Sequence, residues 1–313
     1  NRMELSSGMA DRYHKIRYWR DSVDDLLVTL FLEAHPAPPE QIILDIDTTD
    51  LALHGKQEGR FFHGYYGHYC YLPLFIFCGD HVLCARLRPS NVGPAVGSKR
   101  EIERVVRGIR QRWPKVRIIL RGASGFCVDE LMSWCEDNQV DFVFGMARNP
   151  RLVGLVADAL TQARQEFEKT GQAARVFVEF EHETLSGSWS RKRRVVAKAE
   201  HIDGKSNPRF VVTSLSKAEI EAKSLYENTY CARGDMENRI KEQFVLFADR
   251  VSASTMRANQ LRLYLSVMGY TLMNGLRRLA LKATTLAAAQ VGTIRLKLFK
   301  IGALIQVTVR KVW

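Results

Sequence analysis

Apolar residues recur along the chain with two different periods, and the changes of period divide it into elements. Tyr18, Val23, Leu26, Leu27, Leu30 and Phe31 recur at helical spacing and predict a helix within residues 1–35. His35-Pro36-Ala37-Pro38-Pro39 ends it, because consecutive prolines cannot continue a helix. Residues 41–49 (QIILDIDTT) are apolar and β-branched and predict a strand. Residues 60–88 predict two more, FFHGYYGHYCYLPLFIFC and HVLCARLR, turned at Gly79-Asp80. A charged helix over 97–112 is followed by a strand at 116–120 (VRIIL), an amphipathic helix over 126–138 and a strand at 141–147. One long helix is predicted over 150–170. Strand periods return in RVFVEFEH, RRVVAKAEHI and RFVVTSL between 174 and 215, and 217–285 is mostly helical. The last stretch, TIRLKLFKIGALIQVTVRKVW, mixes both periods and predicts neither element.

The order β-β-β-α-β-α-β predicts an α/β fold, a mixed sheet with helices on its faces. The second β-rich block interrupts that pattern. At roughly 150 residues per domain, 313 residues predict about two domains. With 46% apolar and 26% charged residues, the composition excludes a disordered or fibrous chain. The longest apolar run, Tyr69 to Cys78, falls well short of the ~18 residues a membrane span needs.

Charge changes the picture more than composition does. The net charge is +12, yet no Asp or Glu follows Asp249, while residues 250–313 hold 11 Lys and Arg. A one-signed tail beside a balanced body predicts a polyanion partner, nucleic acid before anionic lipid, although a solvated helix surface reads the same way. The six cysteines (70, 78, 84, 127, 135 and 231) have no CxxC spacing and apolar neighbours, predicting free buried thiols and a reducing cytoplasm.

Three places hold candidate chemistry. Asp45 and Asp47 share one face of the first strand with Ile43, while Leu44 and Ile46 take the other. Carboxylates within an apolar strand are costly unless paired or bound to a cation, and two at a strand end suit Mg²⁺; an exposed strand end is the alternative. The next apolar strand ends in Arg121-Gly122-Ala123-Ser124-Gly125-Phe126, a small polar loop without an acid. Tyr230, Arg233, Glu237, Lys241 and Phe244 fall on one face of a helix, an acid beside phosphate-binding groups or an ordinary salt-bridged stripe. Arg191-Lys192-Arg193-Arg194 forms a basic run, and Tyr65, Tyr66, Tyr69 and Tyr71 are expected to pack against sheet. His54 with Glu58, and His63 with His68, lack a third ligand for a structural metal.

Taken together, LDIDTTD (44–50), HGKQEGRFFHGYYGHYCYLPLFIF (54–77), LRGASGF (120–126), SWSRKRRVVAKAEH (188–201), NPRFVVTSL (207–215) and YCARGDMENRIKEQ (230–243) resemble the DDE transposases of bacterial insertion sequences, particularly the insertion-sequence 1380 family. The resemblance implies a ribonuclease H-like core over 41–150 and 216–250, a β-rich insertion over 151–215, a basic, mainly helical region over 251–313, and at 1–40 a helical remnant of a truncated DNA-binding region. It implies Asp47 as the first catalytic acid, with Asp45 as the nearby alternative, and Glu237 as the third. Tyr230 and Arg233 match the family's Tyr-Arg-Glu helix signature. The Lys expected seven residues past Glu237 is Phe244, which leaves Lys241 as a substitute. The second acid falls at Ala123, which carries no ligand and implies an inactive version.

The family further implies Mg²⁺, or Mn²⁺, in a two-metal site using Asp47 and Glu237. Its partners are terminal inverted repeats and target DNA, acted on by a homodimer in the cytoplasm, on the nucleoid. Arg191, Lys192, Arg193 and Arg194 would lie along phosphates, and Trp189 would stack on a displaced base.

Overall fold

A computed structural model describes residues 16–185, 187–300 and 302. The expected helix before residue 16 and the final part of the ambiguous C-terminal stretch lie outside these residues. The chain runs through α1 (Arg20–Glu33), then six strands: β1 (Gln41–Thr48), β2 (Leu51–Ala52), β3 (Phe61–His63), β4 (His68–Tyr71), β5 (Leu74–Cys78) and β6 (His81–Arg86). Next come α2 (Ser98–Arg112), β7 (Arg117–Gly122), α3 (Asp129–Asp137), β8 (Asp141–Met146), α4 (Pro150–Leu155) and α5 (Ala157–Thr170). They are followed by β9 (Ala174–His182), β10 (Arg193–Ile202), β11 (Lys205–Ser206) and β12 (Arg209–Thr213). A continuous helical run holds α6 (Ala222–Ser224), a wide π segment (Leu225–Tyr230), a tight turn (Cys231–Arg233) and α7 (Gly234–Val245). The described chain closes with α8 (Met256–Leu279) and α9 (Val291–Ile294), the latter extended by a π segment to Phe299.

The large mixed sheet expected from the sequence is present, in the order β11-β10-β12-β8-β7-β1-β5-β6, with β9 also paired to β10. β1 runs parallel to β7 and β7 to β8, while the other neighbours are antiparallel. Alternation along β1 sorts its two faces. Ile42, Leu44 and Ile46 pack with Val28 and Phe31 of α1, Ile102 and Val105 of α2 and Leu131 of α3. On the opposite face, Phe75 and Phe77 meet Met236 and Ile240 of α7 and Val267 and Tyr270 of α8. Farther across that face, Ile43, Ile119 and Val143 meet Leu225 and Tyr226. The α6–α7 run therefore crosses the face from which Asp45 and Asp47 project.

Several expectations change. Residues 60–88 hold four strands rather than two, because β3 and β4 leave the main sheet to form a small one ordered β2-β4-β3. Of the tyrosines expected as sheet packing, Tyr71 is fully buried, but Tyr65 is 87% exposed at the β3–β4 turn. The single helix expected over 150–170 breaks at Val156, which leaves helical geometry (φ −117°, ψ 18°) and buries its side chain in the core. The β-rich block at 174–215 joins the main sheet through β12 on β8. Among the six free cysteines, 70, 78, 84 and 135 are buried, Cys127 is half-buried and Cys231 is exposed. Among the described residues no helix is long and apolar enough to cross a membrane.

Candidate active site

Strand register assembles the site. β1 and β7 pair in parallel from Gln41–Arg117 through Asp45–Arg121 to Ile46–Gly122. One step further along both chains stand Asp47 and Ala123, side by side at the C-terminal ends of strands that lie ~4.8 Å apart. Residue 122 is glycine, and a Cβ there would sit 2.9 Å from Cγ2 of Ile46 and 3.2 Å from the Phe126 ring, so the space belongs to those two side chains.

The two acids on the β1 face have different partners. Asp45 is buried in a bidentate pair with Arg121, whose Nε donates to Oδ1 at 2.5 Å and Nη2 to Oδ2 at 2.7 Å. Burial pushes the Asp45 carboxyl up, against the opposing pull of Arg121. The remaining Arg121 nitrogen, Nη1, donates to the carbonyl of Thr229 in the π segment and ties the α6–α7 run to the sheet. π-type turns are rare and gather at functional sites.

Asp47 accepts from the Thr48 amide at 2.9 Å through Oδ1 and from Nη1 of Arg233 at 2.8 Å through Oδ2. Nη2 of the same guanidinium donates to Oε1 of Glu237 at 3.2 Å. One planar cation thus bridges two carboxylates that are 190 residues apart in sequence, 47 and 237. Burial raises the Asp47 pKa, Arg233 opposes the rise and Glu237 adds to it.

Tyr230 completes the group. Its hydroxyl lies against Gly145 of β8, where a Cβ would approach it to 2.3 Å and the Ser124 amide to 3.1 Å. The tyrosine therefore sits over the end of β7 and β8, beside position 123. Burial raises its pKa.

The structure thus brings together Asp47, Ala123, Tyr230, Arg233 and Glu237, with Asp45 one alternation back along β1. Lys241 is exposed one turn beyond Glu237, with no ion-pair partner among the described residues. The basic run lies elsewhere and divides. Arg193 is buried between Asp129 and Glu136, each at 2.7 Å, and Arg194 pairs with Glu179 at 2.6 Å. Arg191 and Lys192 remain exposed. Arg191 and Lys192 precede β10, whereas within the strand alternation turns Arg193 toward the acids of α3 and Arg194 toward Glu179 on the other face. Trp189 is buried, edge-on to His182 at 5.6 Å and beneath Arg193 at 5.6 Å. Arg193, Arg194 and Trp189 are therefore engaged in contacts within the chain.

Arg121 and Gly145 were missed by sequence reasoning. Arg121 had a legible signal: a guanidinium at the end of an apolar strand, beside another strand with inward acids, must find a carboxylate. Gly145 had none, because its reason is a tyrosine from another part of the chain. Asp47 and Glu237 present hard oxygen donors that fit a divalent cation. Ala123 leaves the set at two, and among the described residues no group of three or more His, Cys, Asp or Glu is placed to hold a metal.

A family model described as transposase DDE domain group 1 matches residues 5–313. No curated protein sequence matches significantly. Among solved structures, the chain is similar to a piggyBac transposase in a synaptic complex with hairpin DNA, with 10% sequence identity and a TM-score of 0.41. The match covers 76% of this chain and 46% of that one, so the chain spans less than half the length of that relative.

Proposed function

The chain belongs to the transposase DDE domain group 1 family, and from that premise we propose that it is the catalytic region of a cut-and-paste DNA transposase with a ribonuclease H-like core. Asp47, Ala123 and Glu237 occupy its three acid positions, with Ala123 leaving this version unable to cleave. The observation that carries the reading is the convergence just described: Asp47 and Ala123 each one residue past the last paired positions, Ile46 and Gly122, of adjacent parallel strands, and Glu237 joined to Asp47 through Arg233. The order β6-β5-β1-β7-β8, with β1 antiparallel to β5 and parallel to β7, supports the ribonuclease H-like assignment.

Asp47 and Glu237 would hold Mg²⁺ or Mn²⁺, which when bound activates a water or 3′-hydroxyl and stabilises the leaving oxygen in an in-line displacement. The chain's own residues do the rest. Asp45 and Arg121 fix the α6–α7 run on the sheet and so set where Glu237 stands; Asp45 is a positioning residue in this reading. Arg233 neutralises the carboxylate pair by bridging Asp47 and Glu237, and its guanidinium would be placed to meet a DNA phosphate beside them. Tyr230 and Lys241 line the approach. Arg191, Lys192 and the basic region after Asp249 supply phosphate contacts on the terminal inverted repeats and the target, and two copies acting together would hold both ends. Because Ala123 removes a ligand without disturbing the strands around it, a second reading follows from the same residue: a cleavage-dead protein that occupies DNA ends and inhibits active copies.

Ala123→Asp tests the assignment. The restored carboxylate stands beside Asp47, so the variant should lose thermal stability in chelator, regain it with Mg²⁺, and nick DNA carrying the cognate inverted repeat. The parent chain should bind the same DNA without cutting it. A variant whose stability ignores Mg²⁺ would remove position 123 from the metal site.

A further inference from the structure

The 24-residue helix α8 buries one side in the core through Leu263, Tyr264, Val267, Tyr270 and Met273. Its opposite side is unusual for a solvated surface. Leu265, Leu272 and Leu279 are exposed to 52%, 75% and 75%. They stand seven residues apart, the repeat that keeps a seam facing a partner helix in a left-handed coiled coil. Between them on the same face lie the half-buried Gly269 and Gly275, with Met268 and Leu276 at its margins leaning into the core. The face from 265 to 279 contains no polar residue. It is about 21 Å long at 1.5 Å per residue, or two heptads. A Cβ at Gly275 would meet nothing within 4 Å, so a second backbone has room to approach.

The rim selects the partner. Arg262, Arg278 and Lys282 are exposed around the seam, and none has a carboxylate partner among the described residues. Arg262 and Arg278 donate only to the hydroxyl of Ser252 and the carbonyl of Ala34. No acid follows Asp249 anywhere in the sequence. Two copies of α8 laid together, parallel or antiparallel, would set these cations against their like. Flanking charges of opposite sign favour a helix pair, and like charges disfavour it.

We propose that the outer face of α8 is a docking surface for an acidic amphipathic helix of another protein, with leucines in heptad register and glutamates on its flanks. Leu265, Leu272 and Leu279 enter the spaces between its leucines, and Arg262, Arg278 and Lys282 pair with its glutamates. The surface is independent of Asp47 and Glu237, so it holds whether or not the chain cleaves DNA.

The test uses the whole chain and two synthetic 21-residue helical peptides, identical in their leucines, one flanked by Glu and one by Lys. Fluorescence anisotropy should detect binding of the Glu peptide, weakening with salt, and little binding of the Lys peptide. Leu272→Glu, at a position already 75% exposed, should weaken Glu-peptide binding at least tenfold with an unchanged circular dichroism spectrum. Reversing Arg262, Arg278 and Lys282 to Glu should exchange the preference for the two peptides. Equal binding of both peptides, or of neither, would overturn the proposal. So would a concentration-dependent dimer in sedimentation velocity that Leu272→Glu dissolves, or recruitment to phosphatidylserine vesicles that outcompetes the Glu peptide.

Discussion

Replacing Arg121 with methionine removes the cation from a buried pair while keeping much of its volume. The side chains of Arg121 and Asp45 are only 6% and 8% exposed, so water cannot take over the role of the guanidinium. Deleting one partner of such a pair typically costs about 3–5 kcal/mol, because the other is left charged and uncompensated. Here the cost has a ceiling, since Asp45 can escape by taking up a proton. From its ordinary pKa of 3.8, neutralising it at pH 7 costs about 4 kcal/mol at 1.36 kcal/mol per unit, and at pH 5 about 1.6 kcal/mol. The native variant then holds a proton that the unfolded chain lacks, so its stability falls as pH rises between those values. Urea denaturation at pH 7 and pH 5 should give a deficit near the ceiling at pH 7 and less than half of it at pH 5. Asp45→Asn leaves the opposite orphan, a guanidinium that cannot discharge, and its deficit should not relax with acid. A loss for Arg121→Met below about 1 kcal/mol, or one that ignores pH, would show that the pair does not anchor the α6–α7 run.

Arg233→Gln removes the cation that bridges Asp47 and Glu237. Manganese affinity, followed by electron paramagnetic resonance, should rise about tenfold, or 1.4 kcal/mol, whereas weaker binding would make Arg233 an organiser of the site and not a competitor. Gly145→Ala drives a methyl into the Tyr230 hydroxyl and should cost about 1–3 kcal/mol; combining it with Tyr230→Phe should cost less than the sum of the two, and strict additivity in the cycle would deny the contact. Burial, with Arg278 and His35 adding to it, lowers the His81 pKa from 6.5 to about 4. The unfolded chain therefore binds more protons in that window, and stability present above pH 6.5 is lost as pH falls toward 4, by up to about 3 kcal/mol. His81→Gln should flatten the denaturation midpoint across that range, and an unchanged slope would count against a half-buried neutral imidazole.

Local pattern and tertiary contact contributed differently to what could be known. Period alone located most strands and helices, because alternation in QIILDIDTT or the 3–4 spacing of Ile102, Val105, Val106 and Ile109 in α2 records which side of an element meets the core. It also placed Asp45 and Asp47 on a single face, and the motifs around Ala123 and Glu237 marked the positions that the fold brings beside Asp47. Partnership was not legible. The strand pattern treats Asp45 and Asp47 alike; the fold gives them different partners, Arg121 for Asp45 and Arg233 for Asp47. Four consecutive basic residues read as one surface, yet the acids of α3 and β9 draw Arg193 and Arg194 into ion pairs within the chain. Trp189 and Gly145 acquire their roles from His182, Arg193 and Tyr230, residues set against them only once the chain has closed. Periodicity is a property of neighbours along the backbone and survives in the sequence. Charge pairing, and the shape left for a side chain, depend on segments that meet only in the folded protein.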